Sequence, residues 1–225
     1  MTDAAIASTP ASTPAASMPP EELAAKLAAR LCHDFMSPAS GVISGLDLLD
    51  DPSAKDMRDE AMALIASSAR KLVDHLTFAR VAFGAYASAD AFDTRELEGL
   101  ARGVFAHVRP ELDWAVEPPQ LPKAAARALL NLAQIAAGAL ATGGIARITT
   151  QSDGADMLVV VEAKGPRVRL HADVAEGLAG QPLGEGLAGR WVQAFYLFQL
   201  VRSAGGSVDV RASEEVIVFS ARVPG

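Results

Sequence analysis

The sequence predicts an α+β protein made of two unlike parts: an N-terminal antiparallel helical hairpin that forms a four-helix bundle by dimerisation, followed by an α/β sandwich. Three observations predict it. Two long apolar runs, Leu23 to Leu49 and Met57 to Phe83, recur at three- and four-residue spacing on either side of the turn-forming Asp50-Asp51-Pro52-Ser53. Beyond about Ala89 the texture changes to short alternating segments separated by glycine-rich stretches. Within the first run, His33 stands off the apolar stripe.

Residues 1–18 are Ala, Ser, Thr and Pro with almost no charge, and lack the basic start and continuous apolar centre of an export signal; they read as a disordered tail. The hairpin domain spans 19–86. Pro19-Pro20 followed by Glu21-Glu22 suits a helix start, because proline is tolerated in the first turn and acids there favour the positive end of the dipole. Leu23, Leu27, Leu31, Phe35, Pro38, Val42, Leu46 and Leu49 then fall on one stripe. Pro38 removes a backbone donor, frees the carbonyl of Asp34 and kinks the helix, while Gly41 and Gly45 loosen the next turns. The second stripe, Met57, Ala61, Leu64, Ile65, Ser68, Leu72, Leu76, Ala79 and Phe83, closes at Gly84. A lone hairpin does not enclose two such stripes. A second copy of the chain, giving a homodimer, is the simplest cover; packing against the rest of the chain is the alternative.

The second domain spans 89–225. Leu97 to Val108 reads as a helix, Trp114 to Val116 as a short strand, and Lys123 to Thr142 as an alanine-rich helix ended by Gly143-Gly144. Ala146 to Gln151 and Met157 to Ala163 read as a hairpin of strands through Ser152-Asp153-Gly154. A flexible glycine-rich connection, Gly177 to Gly189, leads to a helix from Arg190 to Ala204. Two further strands, Ser207 to Arg211 and Val216 to Val223, complete a largely antiparallel sheet with helices laid over it.

Composition excludes several classes. A formal charge of −7 and no basic stripe argue against nucleic acid. No segment offers the roughly 18 uninterrupted apolar residues of a membrane span. Single Cys32 excludes an intramolecular disulfide and a multi-cysteine metal site, which fits the cytoplasm, and its expected state is a small hydrophobe on the helix flank.

The chemistry concentrates at Leu31-Cys32-His33-Asp34-Phe35-Met36-Ser37-Pro38. On the helical wheel His33 points nearly opposite the stripe, in a column with Glu22, Lys26, Ser37, Ser40, Ser44 and Asp47. An exposed imidazole beside a carboxylate is placed to react with something that comes to it, since one ring nitrogen can attack while the other keeps its proton. Either Asp34 or a backbone carbonyl such as that freed by Pro38 can accept that proton's hydrogen bond. Met36, Ser40, Ile43, Ser44 and Asp47, between His33 and the turn, form the expected contact surface for a partner, with Ile43 an apolar residue out of stripe.

The run His33-Asp34-x-x-Ser37-Pro38 is similar to the phospho-acceptor box of bacterial sensor histidine kinases, and the order of parts resembles their dimerisation and ATP-binding (Bergerat-type) domains. From about Glu21 onward the chain resembles the ChpT family of alphaproteobacterial histidine phosphotransferases. The kinase motifs themselves are degraded. Ile135 stands where a magnesium-binding asparagine belongs, counting from Asn131-Leu132, and an aliphatic side chain cannot ligate magnesium. In Val161-Glu162-Ala163-Lys164-Gly165-Pro166-Arg167, Ala163 replaces the adenine-binding aspartate and Arg167 a glycine. The phosphate-cradling segment falls on Trp191-Val192-Gln193-Ala194, whose side chains block close backbone approach.

The resemblance therefore implies a cytoplasmic phosphotransferase rather than an ATP-dependent kinase. His33 would be the phospho-acceptor, Asp34 would orient its ring, and Ser37 would complete the box. The phosphoryl group would come from the receiver domain of a hybrid kinase such as CckA and pass to response regulators such as CtrA and CpdR, in cell-cycle control. No cofactor of its own is expected; Mg²⁺ and a lysine of the visiting receiver would stabilise the transferred charge. An autophosphorylating histidine kinase and a silent dimeric adaptor are the alternatives.

Overall fold

The computed structural model describes residues 18–84, 90–184 and 188–225. The tail expected over 1–18 therefore lies outside the described residues except for Met18, as does the junction between the two domains.

Helix α1 runs unbroken from Pro20 to Asp50, through Pro38, with Glu21 and Glu22 in its first turn. A single 3₁₀ turn, Lys55–Met57, leads into α2, Arg58–Ala82. The two helices pack along each other, and the glycines of α1 show how. A Cβ placed on Gly45 would sit 2.6 Å from Ile65 Cγ1 and 3.0 Å from the Ala61 carbonyl oxygen. Rather than loosening the helix, Gly45, with Ala61 opposite, lets the two backbones approach closely.

The second domain begins with a two-stranded ribbon that the sequence patterns do not reveal: β1 (Ala91–Asp93) pairs antiparallel with β3 (Gln120–Pro122). Asp93 caps α3 (Thr94–Phe105) by accepting from the backbone N–H of Arg95 at 2.8 Å and of Glu96 at 3.4 Å. The main sheet comprises β2 (Glu111–Ala115), β4 (Ile145–Asp153), β5 (Asp156–Lys164), β6 (Ser207–Ala212) and β7 (Val216–Pro224), in the order β2-β4-β5-β7-β6. All neighbours are antiparallel except β2 and β4, which run parallel with Trp114 opposite Ile148. Alternation along β5 and β7 turns Met157, Val159, Val161, Ala163, Ile217, Phe219, Ala221 and Val223 onto one buried face. Helix α4 (Lys123–Ala139) lies on that face, its alanines permitting close approach.

The expected flexible glycine-rich connection is partly a helix. Residues Ala172–Leu178 form α5, capped by Gly180 at φ +68°, and a Cβ on Gly177 would come within 2.7 Å of Ala194 Cβ and the Trp191 carbonyl. Gly177 is thus required by packing against α6 (Ala188–Ser203). Residues 185–187, with Gly186, lie outside the described residues.

The two domains are clamped together at both sides of the hairpin. Leu23 and Leu27 of α1 leave the hairpin seam and pack with Met18 and Leu183 against Trp191, Val192 and Phe195 of α6. At the end of α2, the Ala82 carbonyl accepts a 3.0 Å hydrogen bond from Asn131, which is fully buried. His107, two residues past the end of α3, meets Asp74 of α2 at 2.8 Å. So the rest of the chain covers only one side of the His33-proximal half of the hairpin, where Val73 and Leu76 stay exposed. Its far half keeps Leu46, Met62 and other apolar side chains exposed.

Candidate phosphotransfer site

The helical phase of α1 decides what surrounds His33. Its side chain is 88% exposed, and Nδ1 lies 3.4 Å from Oδ1 of Asp34. The other carboxylate oxygen, Oδ2, is 3.5 Å from Nε of Arg30, one turn earlier. Arg30 reaches onward and donates from Nη1 to the carbonyl of Gly189 in the first turn of α6. Burial pulls the Arg30 pKa down, the Asp34 carboxylate opposes this, and nearby Arg190 adds to it. The guanidinium nevertheless stays charged.

His33, Asp34 and Arg30 share a groove of about 520 Å³ with Lys26 of α1 and Gly189 and Arg190 of α6. The imidazole therefore faces a cleft between the two domains with basic side chains on both walls. Behind it, Arg190 Nη1 donates to Nδ1 of His171 at 3.0 Å. His171 is held below its ordinary pKa by burial and by Arg190 and Arg169, so its ring is neutral and acts as acceptor. On the opposite side, burial lowers the pKa of His75, with Asp34 pulling the other way and Lys71 adding to the decrease.

Ser37, Met36, Ser40, Ile43, Ser44 and Asp47 are all exposed along α1 from His33 towards the turn, with Met36 at 61% and Ile43 at 57%. They form one continuous face. Cys32 is exposed as well, so the expectation of a partly packed small hydrophobe is corrected: adjacent helical residues diverge by about 100°, and here that turns the thiol to solvent. Sequence reasoning missed Arg30 and Arg190. The spacing of Arg30 four residues before Asp34 was a signal; nothing local links it to Gly189, 159 residues away.

In the second domain, the positions matched to nucleotide motifs have become core. Ala163 is fully buried in β5 and Ile135 is 7% exposed in α4. Trp191 and Phe195 stack at 4.6 Å between ring centroids. Gln193 donates to Gln134 at 2.6 Å. Among the described residues no group of three or more His, Cys, Asp or Glu side chains is arranged to hold a metal. No helix there is long and apolar enough to cross a membrane.

A sequence profile of the histidine phosphotransferase C-terminal domain matches residues 94–216, which spans α3 to the start of β7. The protein phosphotransferase ChpT of Brucella abortus (strain 2308) is 36% identical over 201 residues, covering 89% of this chain and 95% of that protein. A solved bacterial phosphotransferase superposes with a TM-score of 0.81 at 33% identity, over 92% of this chain and 98% of that one. The chain belongs to the ChpT family of histidine phosphotransferases.

Proposed function

We propose that this protein carries a phosphoryl group on His33 between receiver domains of a phosphorelay. The observation that carries the reading is the exposure of the His33 ring, 88%, on a helix whose other face is committed to packing. With the Nδ1 proton directed at Asp34, the lone pair sits on Nε2, the nitrogen that faces solvent and an incoming domain. Ser37 lies one turn on and completes the box around the ring. The incoming domain would bring its aspartyl phosphate, its Mg²⁺ and its lysine. This chain's residues would position the nucleophile.

Met36, Ser40, Ile43, Ser44 and Asp47 form the proposed receiver contact: two exposed apolar side chains among small polar ones. The receiver of a CckA-like hybrid kinase is the proposed donor, and CtrA- and CpdR-like regulators are the proposed acceptors, in the cytoplasm. The exposed Leu46, Val73 and Leu76 on the hairpin favour a homodimeric four-helix bundle, since packing against the second domain leaves them uncovered. Light scattering of the full chain is expected to give twice the monomer mass; a monomer at micromolar concentration would remove the bundle.

Phosphotransfer without ATP is favoured over kinase activity by the side chains that fill the nucleotide-motif positions, Trp191 and Ala163 foremost. The test uses labelled phospho-receiver and, separately, labelled ATP. Wild type is expected to take label from the receiver alone, and His33→Gln from neither. Label acquired from ATP would restore the kinase reading, and no uptake from any receiver would favour an adaptor.

A further inference from the structure

Resting on the reading of His33 as phospho-acceptor, we propose that Arg30 is a positioning residue for the transfer, holding the Asp34 carboxylate against the imidazole and anchoring it to the second domain. The chain of contacts is continuous. Gly189 of α6 accepts from Arg30 Nη1, Arg30 Nε faces Asp34 Oδ2 at 3.5 Å, and Asp34 Oδ1 faces His33 Nδ1 at 3.4 Å. Exposure rises steadily along it, from 16% for the Arg30 side chain through 25% for Asp34 to 88% for His33. The reacting ring is at the wet end of a support rooted between two domains.

An ordinary surface pair at this helical spacing holds little, because both long side chains must be ordered for a screened attraction. Arg30 differs because its head is already fixed by a backbone carbonyl from a distant element. One N–H of its planar fork goes to that carbonyl, and buried Nε, which has no hydrogen-bond partner, lies at ion-pair distance from the carboxylate; a lysine ammonium has no such fixed geometry. A carboxylate held at one oxygen has a defined second oxygen, and that one meets His33.

The consequence falls on the chemical step. The Nε2 lone pair attacks phosphorus, the N–P bond forms, and the P–O bond breaks with its electron pair leaving on the receiver's carboxylate. The imidazole retains its Nδ1 proton and so becomes cationic as the N–P bond forms. An Asp34 carboxylate already in place meets that charge without reorganising. Arg30 touches neither phosphorus nor receiver in this scheme. Its loss should slow transfer after docking and leave docking itself alone.

The test is single-turnover transfer from labelled phospho-receiver, over a range of receiver concentrations, with full-length protein. Arg30→Gln is expected to lower the maximal rate on the order of tenfold, with the half-saturating receiver concentration unchanged. Asp34→Asn should slow transfer too, and the double variant should be no slower than Asp34→Asn alone. In the resting protein, ¹⁵N shifts of the His33 ring should show a smaller share of the Nδ1–H tautomer in Arg30→Gln. Should that variant fail to fold, Arg30→Lys keeps the charge without the fork and is expected to be slowed as well. A wild-type rate in either Arg30 variant, losses that multiply in the double variant, or a change confined to half-saturation would each overturn the proposal. Label appearing on His33→Gln would instead overturn the reading beneath it.

Discussion

The two central helices of the molecule, α1 and α4, bury their residues in opposite ways. Of the 17 residues of α4, twelve are buried, most of them alanine and leucine pressed onto the sheet. Of the 31 residues of α1, only Pro38 and Gly45 are. Both helices are apolar enough to be core elements. One has its partners within the chain, whereas the other meets a single helix along much of its length and the second domain only at its N-terminal third. A fold of this kind separates duties: the second domain supplies stability, and the hairpin is left with surface for other molecules. The same contrast explains why the nucleotide-motif positions are filled. Once Trp191 and Phe195 serve as the seat for Leu23 and Leu27, their segment contributes to holding α1, and through it His33, in place.

The largest effect is expected where the two regions meet. Trp191→Ala removes the stacked partner of Phe195 and the platform under α1, and should cost about 3–5 kcal/mol of folding stability by urea titration. A cost below about 1 kcal/mol would mean that α1 does not depend on this seat. Next comes the close approach of α1 and α2. Gly45→Val would drive a methyl group towards Ile65 and the Ala61 carbonyl, and should cost about 1–3 kcal/mol. An unchanged urea midpoint would show that the helices separate freely and that the hairpin is looser than its contacts imply.

The hairpin was legible in the sequence because its physics is local: a 3.6-residue period, a proline-aspartate turn and a terminal glycine. The outward turn of His33 followed from the same period. What escaped was either too short or too remote. Ala91–Asp93 and Gln120–Pro122 are three residues each, below the length at which alternation can be recognised, and pair across an intervening helix and strand. Helix α5 has only seven residues and runs into the start of the glycine-rich stretch, and its Gly177 is there for contact with α6, which composition does not distinguish from flexibility. The stripe of α1 correctly signalled burial need without saying that Leu23 and Leu27 would turn to α6 and leave Leu46 exposed. At the site, His33 and Asp34 were visible as neighbours. The link from Arg30 to Gly189 exists only because the fold brings α6 against α1.

A smaller effect should separate chain stability from assembly. Leu76 is 41% exposed, so Leu76→Ser is expected to change the stability of the isolated chain by no more than about 0.5 kcal/mol. In the dimer the same position would be covered, and sedimentation should show the variant dissociating at a higher concentration than wild type. Equal dissociation would place the dimer seam elsewhere on the hairpin.

The smallest expected effect concerns pH and lies beside the site. The pKa of His75 is lowered in the folded chain, chiefly by burial, although Asp34 acts to raise it. The folded state therefore favours the neutral ring more than the unfolded chain does. Its contribution is present above the unfolded value, about 6.5, and is lost as pH falls through that value towards the lower folded one. Urea midpoints measured from pH 7.5 to 5.5 should fall for wild type more than for His75→Gln, whose side chain does not titrate. Parallel curves for the two proteins would mean that His75 accepts its proton without cost, and that the hairpin is as open at this position as it is along the Ile43 face.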